Sequence, residues 1–315
     1  MDAETKQMTN SSELQKEIRA LAVDQDAVIL AHNYQRPEVQ DVADFVGDSL
    51  GLARQAAKTT SETIAFCGVH FMAETAKILS PEKTVLLPDL AAGCSLADSI
   101  DATQLIAWKA KYPDAVVVSY VNTTAAVKAL SDYCCTSGNV RAVIEAIPAD
   151  KEILFLPDLF LGLWAERVTG RRLHLWLGEC HVHAGIKAAD IERIQAEDPS
   201  ACLLIHPECG CASQVLEASD EAHILSPEGM LRFSQSSPYK RFRVATEVGM
   251  LYRLRKEAPS KVFEPVNTEA ICSFMKLTTL EKLRDSLKKR QYEIVVGEDI
   301  ATRARLAIER MVSIG

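Results

Sequence analysis

The sequence predicts an α/β protein built from three similar units, because several kinds of feature recur along it at almost the same step. One series consists of cysteines that each follow a short apolar run, with spacings of 86 and 92 residues: Cys94, Cys180 and Cys272. A second series consists of polar residues at the ends of other apolar runs, with spacings of 88 and 86 residues: His32, Tyr120 and His206. An internal period of this kind indicates a repeated structural unit.

Two further series share the period. Serines that each precede a predicted helix are 88 and 89 residues apart: Ser49, Ser137 and Ser226. The middle apolar runs of the units lie near Phe66, Phe155 and Val244. A unit of about 90 residues is large enough to hold a small core of its own. We therefore predict an N-terminal helix (1–23) and three α/β repeats (24–111, 112–197 and 198–315), the last of which includes a C-terminal helix.

The composition is that of a globular, enzyme-sized protein. Of the 315 residues, 48% are hydrophobic and 25% are charged, which allows a large core. The formal charge of -8 and the isoelectric point near 5.5 argue against nucleic acid as the main partner, since phosphate binding needs a basic face. Residues 1–12 lack the apolar core of a signal peptide and no 18-residue apolar run occurs, so we expect a cytoplasmic protein without a membrane segment.

The elements of the first unit follow from local patterns. Ser12 and Gln15 have the spacing of a capping box, which predicts the start of a leading helix. Three short, continuously apolar runs lie at residues 28–30, 63–66 and 84–87. Such runs are typical of parallel strands that are covered on both faces. Met72, Ala76 and Leu79 are spaced for burial on one side of a helix between the second and third runs.

The other two units repeat this order of apolar runs and helices. Strands are predicted at residues 115–119, 153–156, 173–176, 202–205, 242–245 and 292–296. The strand before Cys272 is less evident than the strands before Cys94 and Cys180. Residues 279–289 and 299–311 are predicted to form the last two helices.

The serine series suggests an anion site. Serine is a favoured helix N-cap, and a helix N-terminus offers backbone N–H groups and a partial positive charge to an anion. The alternative is that each serine only caps its own helix. Because Ser49, Ser137 and Ser226 share one repeat position, we favour a joint anion site.

Polar side chains come directly after predicted strands in all three units. They form pairs in which the two residues are two positions apart: His32 with Tyr34, Tyr120 with Asn122, and His206 with Glu208. Open α/β sheets bind ligands at the carboxyl ends of their strands, so these pairs are candidate site residues. His206 and Glu208 suit general acid–base catalysis, and Asn122 suits a carboxylate or carbonyl group. For His32 and Tyr34 alone, packing in a loop is the favoured interpretation.

The cysteines point to a metal centre. Nine cysteines, an odd number, indicate thiols and metal ligation rather than a disulfide framework. Thiolates select zinc, copper(I) or iron–sulfur clusters, and three periodic thiolates fit a cluster with one open iron, which acts as a Lewis acid on a substrate oxygen. Cys180 and His183 have the spacing of half a zinc site, but a closed zinc site needs a second close pair, which the sequence does not show.

From about Val28 to its carboxyl end the chain resembles the quinolinate synthase A family. The motifs that carry the resemblance are Ala31-His32-Asn33-Tyr34-Gln35, Phe71-Met72-Ala73-Glu74-Thr75-Ala76, Gly93-Cys94-Ser95-Leu96-Ala97-Asp98, Tyr120-Val121-Asn122-Thr123, His206-Pro207-Glu208-Cys209 and Val244-Ala245-Thr246-Glu247. The resemblance implies three three-layer α/β/α domains with short parallel sheets around a pseudo-threefold axis. It also implies one 4Fe–4S cluster per chain and the condensation of iminoaspartate with dihydroxyacetone phosphate to quinolinate, phosphate and water in NAD biosynthesis.

The resemblance also implies the site residues. The cluster ligands are Cys94, Cys180 and Cys272. The substrate-binding residues are His32, Ser49, Tyr120, Asn122, Ser137, His183, His206, Glu208 and Ser226, and we assign the catalytic chemistry to Tyr34, Glu208, His32 and His206. The chain departs from the family pattern in the third repeat, where the family's Ser-Thr pair is replaced by Ser226-Pro227. One hydroxyl contact is therefore missing or supplied elsewhere.

Functional partners and two other functions complete the expectations. By resemblance, L-aspartate oxidase or aspartate dehydrogenase supplies iminoaspartate, and iron–sulfur assembly proteins supply the cluster. Another 4Fe–4S hydro-lyase would show the same number of thiolates. A non-catalytic iron–sulfur sensor is the second alternative, but it leaves the polar strand-end residues without a function and has no basic face for DNA.

Overall fold

The computed structural model describes residues 3–212 and 222–314, with side chains from Ser11 onward, and within these ranges the strands form three parallel sheets. Each sheet has four short strands. The strands are β1 (Ala27–His32), β2 (Phe45–Gly47), β3 (Thr63–Cys67), β4 (Thr84–Leu86), β5 (Val116–Tyr120), β6 (Tyr133–Cys135), β7 (Ile153–Leu156), β8 (His174–Leu175), β9 (Cys202–Ile205), β10 (Ala222–Ile224), β11 (Arg241–Ala245) and β12 (Val262–Pro265).

All three sheets have the same strand order. The orders are β2-β1-β3-β4, β6-β5-β7-β8 and β10-β9-β11-β12. Every pairing within these sheets is parallel. Parallel neighbours need crossover connections, which are usually helices. The predicted fold class, an α/β protein of three similar units, is confirmed.

Helices connect the strands and close the chain. They are α1 (Ala3–Asp24), α2 (Pro37–Val42), α3 (Ser49–Lys58), α4 (His70–Leu79), α5 (Ala102–Lys109), α6 (Ala125–Lys128), α7 (Val140–Glu145), α8 (Leu159–Thr169), α9 (Ala188–Glu197), α10 (Pro227–Ser236), α11 (Met250–Glu257), α12 (Leu280–Lys289) and α13 (Glu298–Ser313). The last two confirm the helices predicted at 279–289 and 299–311. Among the described residues, no helix combines the length and apolar character needed to cross a membrane.

The chain divides into two compact units. The first comprises Met1–Cys94 and Ser273–Glu298, and the second comprises Ser95–Cys272 and Asp299–Gly315. The sheet of β1 to β4 belongs to the first unit, and the other two sheets belong to the second. The boundaries of the three sequence repeats stay a prediction.

In the first unit, helices cover both faces of the sheet. Ile29 faces an apolar core to which Ile18 of α1 and Leu283 of α12 contribute. Because side chains alternate along a strand, Leu30 and Phe66 point to the opposite face, where α3 and α4 pack together. Burying each of these large apolar side chains contributes about 1.5–3 kcal/mol.

The second unit repeats this layering in each of its two sheets. Helices α5 and α6 share a core with β5 and β7. On the opposite face α8 approaches the sheet at Gly162, where an added Cβ would lie 2.5 Å from the Leu175 side chain and 2.9 Å from that of Phe155. Only glycine permits this close approach. In the other sheet, α9 shares a core with Leu203 and Ile205 of β9.

One hydrogen-bond pattern recurs at the repeat spacing. The Asp44 carboxylate accepts the N–H of Ile29 at 2.8 Å, and the Asp44 N–H donates to the Ile29 carbonyl at 2.9 Å. Asp132 forms the same two bonds with Val117, at 2.8 and 2.9 Å. Each aspartate lies directly before an edge strand, β2 or β6, and ties that strand to its neighbour. The same tie in two sheets supports the repetition of one unit.

Several local expectations need correction. Residues 292–296 form no strand and pair with β4 through one antiparallel bridge, between Leu86 and Glu293. Ser12 does not begin the leading helix, because α1 begins at Ala3 and Ser12 lies inside it. The edge strands β2, β6, β10 and β12 were not predicted; each has only three or four residues, and its pairing with a central strand defines it.

Candidate functional site

The strand ends of the second unit bring several polar side chains together. Tyr120 ends β5, His206 and Glu208 follow β9, and Thr246 follows β11. His183 comes from the loop between β8 and α9. Each of these five residues is at most 4% exposed. Their polar groups therefore need partners inside the protein.

Glu208 lies at the centre of this group of side chains. Its Oε2 lies 3.1 Å from Nδ1 of His183, and its Oε1 accepts a hydrogen bond from the Tyr120 hydroxyl and lies 3.8 Å from Nδ1 of His206. The rings of His183 and His206 stack with their centroids 4.5 Å apart. Nε2 of His206 lies 3.2 Å from Oγ of Ser137. These contacts join Tyr120, Ser137, His183, His206 and Glu208, all of which were predicted to bind substrate.

The charge of Glu208 is set by its neighbours. Burial alone would raise the pKa of Glu208, because it penalises the charged form. The electrostatic effect of His183 and His206, with hydrogen bonds from His183 and Tyr120, outweighs burial and lowers the pKa of Glu208 to about 2. Glu208 is therefore ionised at neutral pH, and it accepts hydrogen bonds rather than donating them.

His183 connects Glu208 to a cysteine. Nδ1 of His183 lies 3.3 Å from Sγ of Cys180, and Nε2 lies 2.9 Å from Oγ1 of Thr246. One potential ligand atom from each of Cys180, His183 and Glu208 lies within 4.8 Å of the other two. A thiol, an imidazole and a carboxylate at these separations form a donor set for a transition metal.

Cys272 lies in the same part of the second unit. Its backbone N–H donates to Oε1 of Glu247 at 3.1 Å, and Glu247 directly follows Thr246 after β11. The other oxygen of Glu247 accepts the N–H of Gly249 at 2.7 Å, which fixes the carboxylate. Cys180 and Cys272 also pack against one and the same apolar core, the core beneath β9 and β11. The residues after β11 therefore support both cysteine loops.

Exposure divides the nine cysteines into two groups. All nine lie in the described ranges and none forms a disulfide. Six are buried: Cys67, Cys134, Cys135, Cys202, Cys209 and Cys211. Burial raises the pKa of Cys134 to about 12, so this thiol has almost no reactive thiolate at neutral pH. Cys94, Cys180 and Cys272, the periodic cysteines, are the partly exposed ones.

Asp158 is a residue that the sequence analysis missed. It is fully buried at the N-terminus of α8, where Oδ1 caps the helix by accepting the N–H of Leu161 at 2.7 Å. Its Oδ2 has no hydrogen-bond partner among the described residues. Burial, and then the charge of Glu208, raise the pKa of Asp158 well above its usual range. Its position directly after β7 and Pro157 is the signal that could have identified it.

Ser226 and Asn122 lie in the same unit. Ser226 caps α10 as predicted, since its Oγ accepts the N–H of Gly229 at 3.3 Å. A Cβ added to Gly138 would lie 3.4 Å from that Oγ, so Ser226 is close to the segment that carries Ser137. Pro227 occupies the first turn of α10, where no backbone N–H is needed. Oδ1 of Asn122 is buried and has no partner among the described residues, so it can accept a bond from a ligand.

The other two serine caps were predicted wrongly. Ser49 is the first residue of α3, and Asp48 caps that helix by accepting the N–H of Gly51 at 2.9 Å. Helix α7 begins at Val140 with Asn139 in the cap position, so Ser137 lies outside it. The three serines therefore do not mark three equivalent helix ends.

In the first unit, His32 and Tyr34 lie together at the end of β1. Their rings meet edge to face with centroids 4.5 Å apart, and the Tyr34 N–H donates to Nδ1 of His32 at 3.2 Å. The same bond joins the Glu208 N–H to Nδ1 of His206 in the second unit, at 3.4 Å. The turn that follows the strand is therefore repeated. Cys94 lies in the loop after β4.

Parallel sheets with buried polar and ionisable groups at their strand ends indicate an α/β enzyme. Comparison with known proteins identifies the family. The model of the Quinolinate synthetase A protein family matches residues 16–313. The chain therefore belongs to this family, as its motifs indicated.

Curated relatives support this assignment over almost the whole chain. A quinolinate synthase of Thermus thermophilus is 57% identical over 96% of this chain and 97% of its own length. That of Pyrobaculum aerophilum is 52% identical over 95% of this chain and 98% of its own length. The quinolinate synthase of a Mycobacterium species is 54% identical over 95% of this chain and 91% of its own length.

Proposed function

We propose that this chain is a quinolinate synthase that condenses iminoaspartate with dihydroxyacetone phosphate, giving quinolinate, phosphate and water in the de novo biosynthesis of NAD. The observation that carries this proposal is the 57% identity with the Thermus thermophilus quinolinate synthase over 96% of the chain. The group of buried polar side chains around Glu208 supports it, because acid–base groups at strand ends suit a condensation that moves several protons.

The proposed cofactor is one 4Fe–4S cluster per chain, held by Cys94, Cys180 and Cys272. Support comes from the exposure of the cysteines, since these three are partly exposed and the other six are buried. When bound, such a cluster with one open iron supplies a Lewis acid for a substrate oxygen.

Proton transfer is assigned to Glu208 and Tyr34. Ring formation joins the substrates by one carbon–nitrogen and one carbon–carbon bond while phosphate and water leave. Protons must therefore leave carbon and nitrogen and reach the departing oxygens. Glu208 is ionised and accepts protons, and the Tyr120 hydroxyl that donates to it orients the carboxylate. Tyr34 is the second proton carrier in this proposal.

The remaining pocket residues bind and orient the substrates. We assign this function to His32, Ser49, Tyr120, Asn122, Ser137, His183, His206 and Ser226, together with Glu208. Iminoaspartate carries two carboxylates and the triose carries a phosphate, so hydroxyl, amide and imidazole donors suit them. His32 and His206 position the carbons of the triose.

The cellular setting is also part of the proposal. The enzyme works in the cytoplasm, receives iminoaspartate from an L-aspartate oxidase or aspartate dehydrogenase, and obtains its cluster from iron–sulfur assembly proteins. The net charge of -8 supports the absence of nucleic acid among its partners.

Anaerobic purification with iron and sulfide analysis, beside a quinolinate assay from both substrates, tests the function. We expect about four irons per chain and product formation that requires the cluster. Cys94→Ser, Cys180→Ser and Cys272→Ser should each lose the cluster, whereas Cys202→Ala, which changes a buried thiol, should keep it. A cluster without product would favour another hydro-lyase or a sensor, and no cluster after reconstitution would refute the cofactor assignment.

A further inference from the structure

We propose that the cluster-free form of this chain binds one zinc ion through Cys180, His183 and Glu208. The three ligands lie within the second unit. The inference depends on the proposed function only where Cys180 is also assigned to the cluster. In that case zinc and the cluster exclude each other, because one thiolate cannot serve both.

The separations of the ligand atoms are close to those of a zinc site. Zinc bonds of about 2.3 Å to sulfur and 2.0–2.2 Å to nitrogen or oxygen place tetrahedral ligand atoms about 3.3–3.6 Å apart. Sγ of Cys180 and Nδ1 of His183 are 3.3 Å apart, and Nδ1 of His183 and Oε2 of Glu208 are 3.1 Å apart. All three ligand atoms lie within 4.8 Å of one another. Coordination would need each of the first two separations to lengthen by about 0.2 Å.

Two of the ligands are already oriented by neighbours. Oγ1 of Thr246 lies 2.9 Å from Nε2 of His183, which directs Nδ1 towards Cys180 and Glu208. The Tyr120 hydroxyl holds Oε1 of Glu208 and leaves Oε2 facing the imidazole. Partners of this kind orient the ligands in zinc sites of known proteins.

The charges of the site also favour zinc. His183 and Glu208 are each 2% exposed, and zinc would replace the proton that Nδ1 of His183 shares with Glu208, so the buried carboxylate would stay compensated. One thiolate and one carboxylate neutralise the two positive charges of the ion. The sequence shows only the Cys-x-x-His half of this site, and Glu208, which is 28 residues beyond Cys180, supplies the third ligand. Three protein ligands leave the fourth position to water, as in open zinc sites.

Titration of the full-length, cluster-free protein with cobalt(II) under anaerobic conditions tests the proposal. Cobalt replaces zinc and shows an absorption band when it binds a thiolate. We expect one cobalt per chain, loss of the thiolate band in Cys180→Ser, and at least about tenfold weaker binding in His183→Gln and Glu208→Gln. Thr246→Val should weaken binding about 10–100-fold, since it removes only the partner of His183. Zinc should displace the cobalt.

Cys94→Ser and Cys272→Ser are the matched controls, because they remove thiols outside the proposed site. Both should bind cobalt like the parent protein, and a melting curve checks the fold of each variant. If these two variants lost binding while His183→Gln and Glu208→Gln kept it, the metal would lie among the periodic cysteines and the proposal would be wrong. Absence of any cobalt binding would also overturn it. Neither result depends on quinolinate formation. The zinc proposal can therefore fail while the proposed function holds, and the proposed function can fail while the zinc proposal holds.

Discussion

At the scale of single residues, the charge of Glu208 is the main property of the site. A buried carboxylate without partners would be protonated at neutral pH. Here His183 and His206 hold its pKa low enough to keep it ionised. Asp158 is also buried, but the charge of Glu208 adds to the effect of burial and its pKa is raised. Two carboxyl groups of one unit are therefore driven towards opposite protonation states.

Glu208→Gln should reduce kcat for quinolinate formation by about 10²–10⁴-fold, because an amide keeps the shape of the side chain but cannot accept the proton. The measurement is steady-state turnover together with the iron content of each preparation. Glu197→Gln is the control, since Glu197 forms an exposed ion pair with Arg193 on α9 and should keep full activity. Full turnover of Glu208→Gln with an intact cluster would show that Glu208 does not transfer protons.

Residue patterns indicated candidate site residues but not which of them touch. His206 and Glu208 were recognised because they follow a strand, and their bonds to Ser137, Tyr120 and His183 were not. Tyr120 and Glu208 are 88 positions apart, and no local pattern encodes a contact over that distance.

At the scale of elements, the helix caps show where local patterns mislead. Serine and aspartate are both good N-caps, and the sequence Asp48-Ser49 offers two candidates in succession. The strand before the helix ends at Gly47 and leaves Asp48 in the extended conformation that a cap requires. The end of the strand therefore decides the cap.

Asp48→Ala should lower the free energy of unfolding by about 1 kcal/mol, because it removes the side chain that caps α3. Ser49→Ala should leave stability almost unchanged, since alanine is a good helix former at the first helical position. Urea unfolding of both variants beside the parent protein measures the difference. Ser226→Ala should behave like Asp48→Ala, as Ser226 caps α10. A larger loss for Ser49→Ala than for Asp48→Ala would contradict the assigned caps.

The strands, like the helix caps, depend on neighbouring elements as well as on the local pattern of residues. The central strands have four to six mostly apolar residues and were predicted within one or two positions. The edge strands β2, β6 and β10 have three residues each, and what makes them strands is their pairing with β1, β5 and β9. Residues 292–296 show the reverse case, because an apolar run there forms only one bridge.

At the scale of the whole molecule, the three periodic cysteines are more exposed than the other six. The six buried thiols include members of the repeats' own strands, such as Cys67 in β3 and Cys202 in β9. The three periodic thiols lie outside named strands and helices and are partly exposed. Position in the repeat therefore predicts the accessibility of a thiol.

Iodoacetamide treatment of the native, cluster-free protein should label Cys94, Cys180 and Cys272 much faster than the buried cysteines. The physical reason is that burial blocks access and raises the pKa of thiols such as Cys134. Peptide mass spectrometry at successive times measures the order of labelling, and a denatured sample should be labelled at all nine positions. Equally rapid labelling of Cys134 or Cys202 would contradict the observed burial. A bound cluster should protect the three fast sites.

The order of the residues was enough to establish the repetition of the chain, the α/β class, the central strands and the identity of the periodic cysteines. These properties depend on apolar runs and regular spacings, which are local or periodic and can be read along the chain. The edge strands, the caps and the contacts of Glu208 with Tyr120, His183 and His206 became known only from the folded chain. The same is true of Asp158, which is buried near the charge of Glu208. Such properties depend on residues that are far apart in sequence and meet only when the sheets have formed.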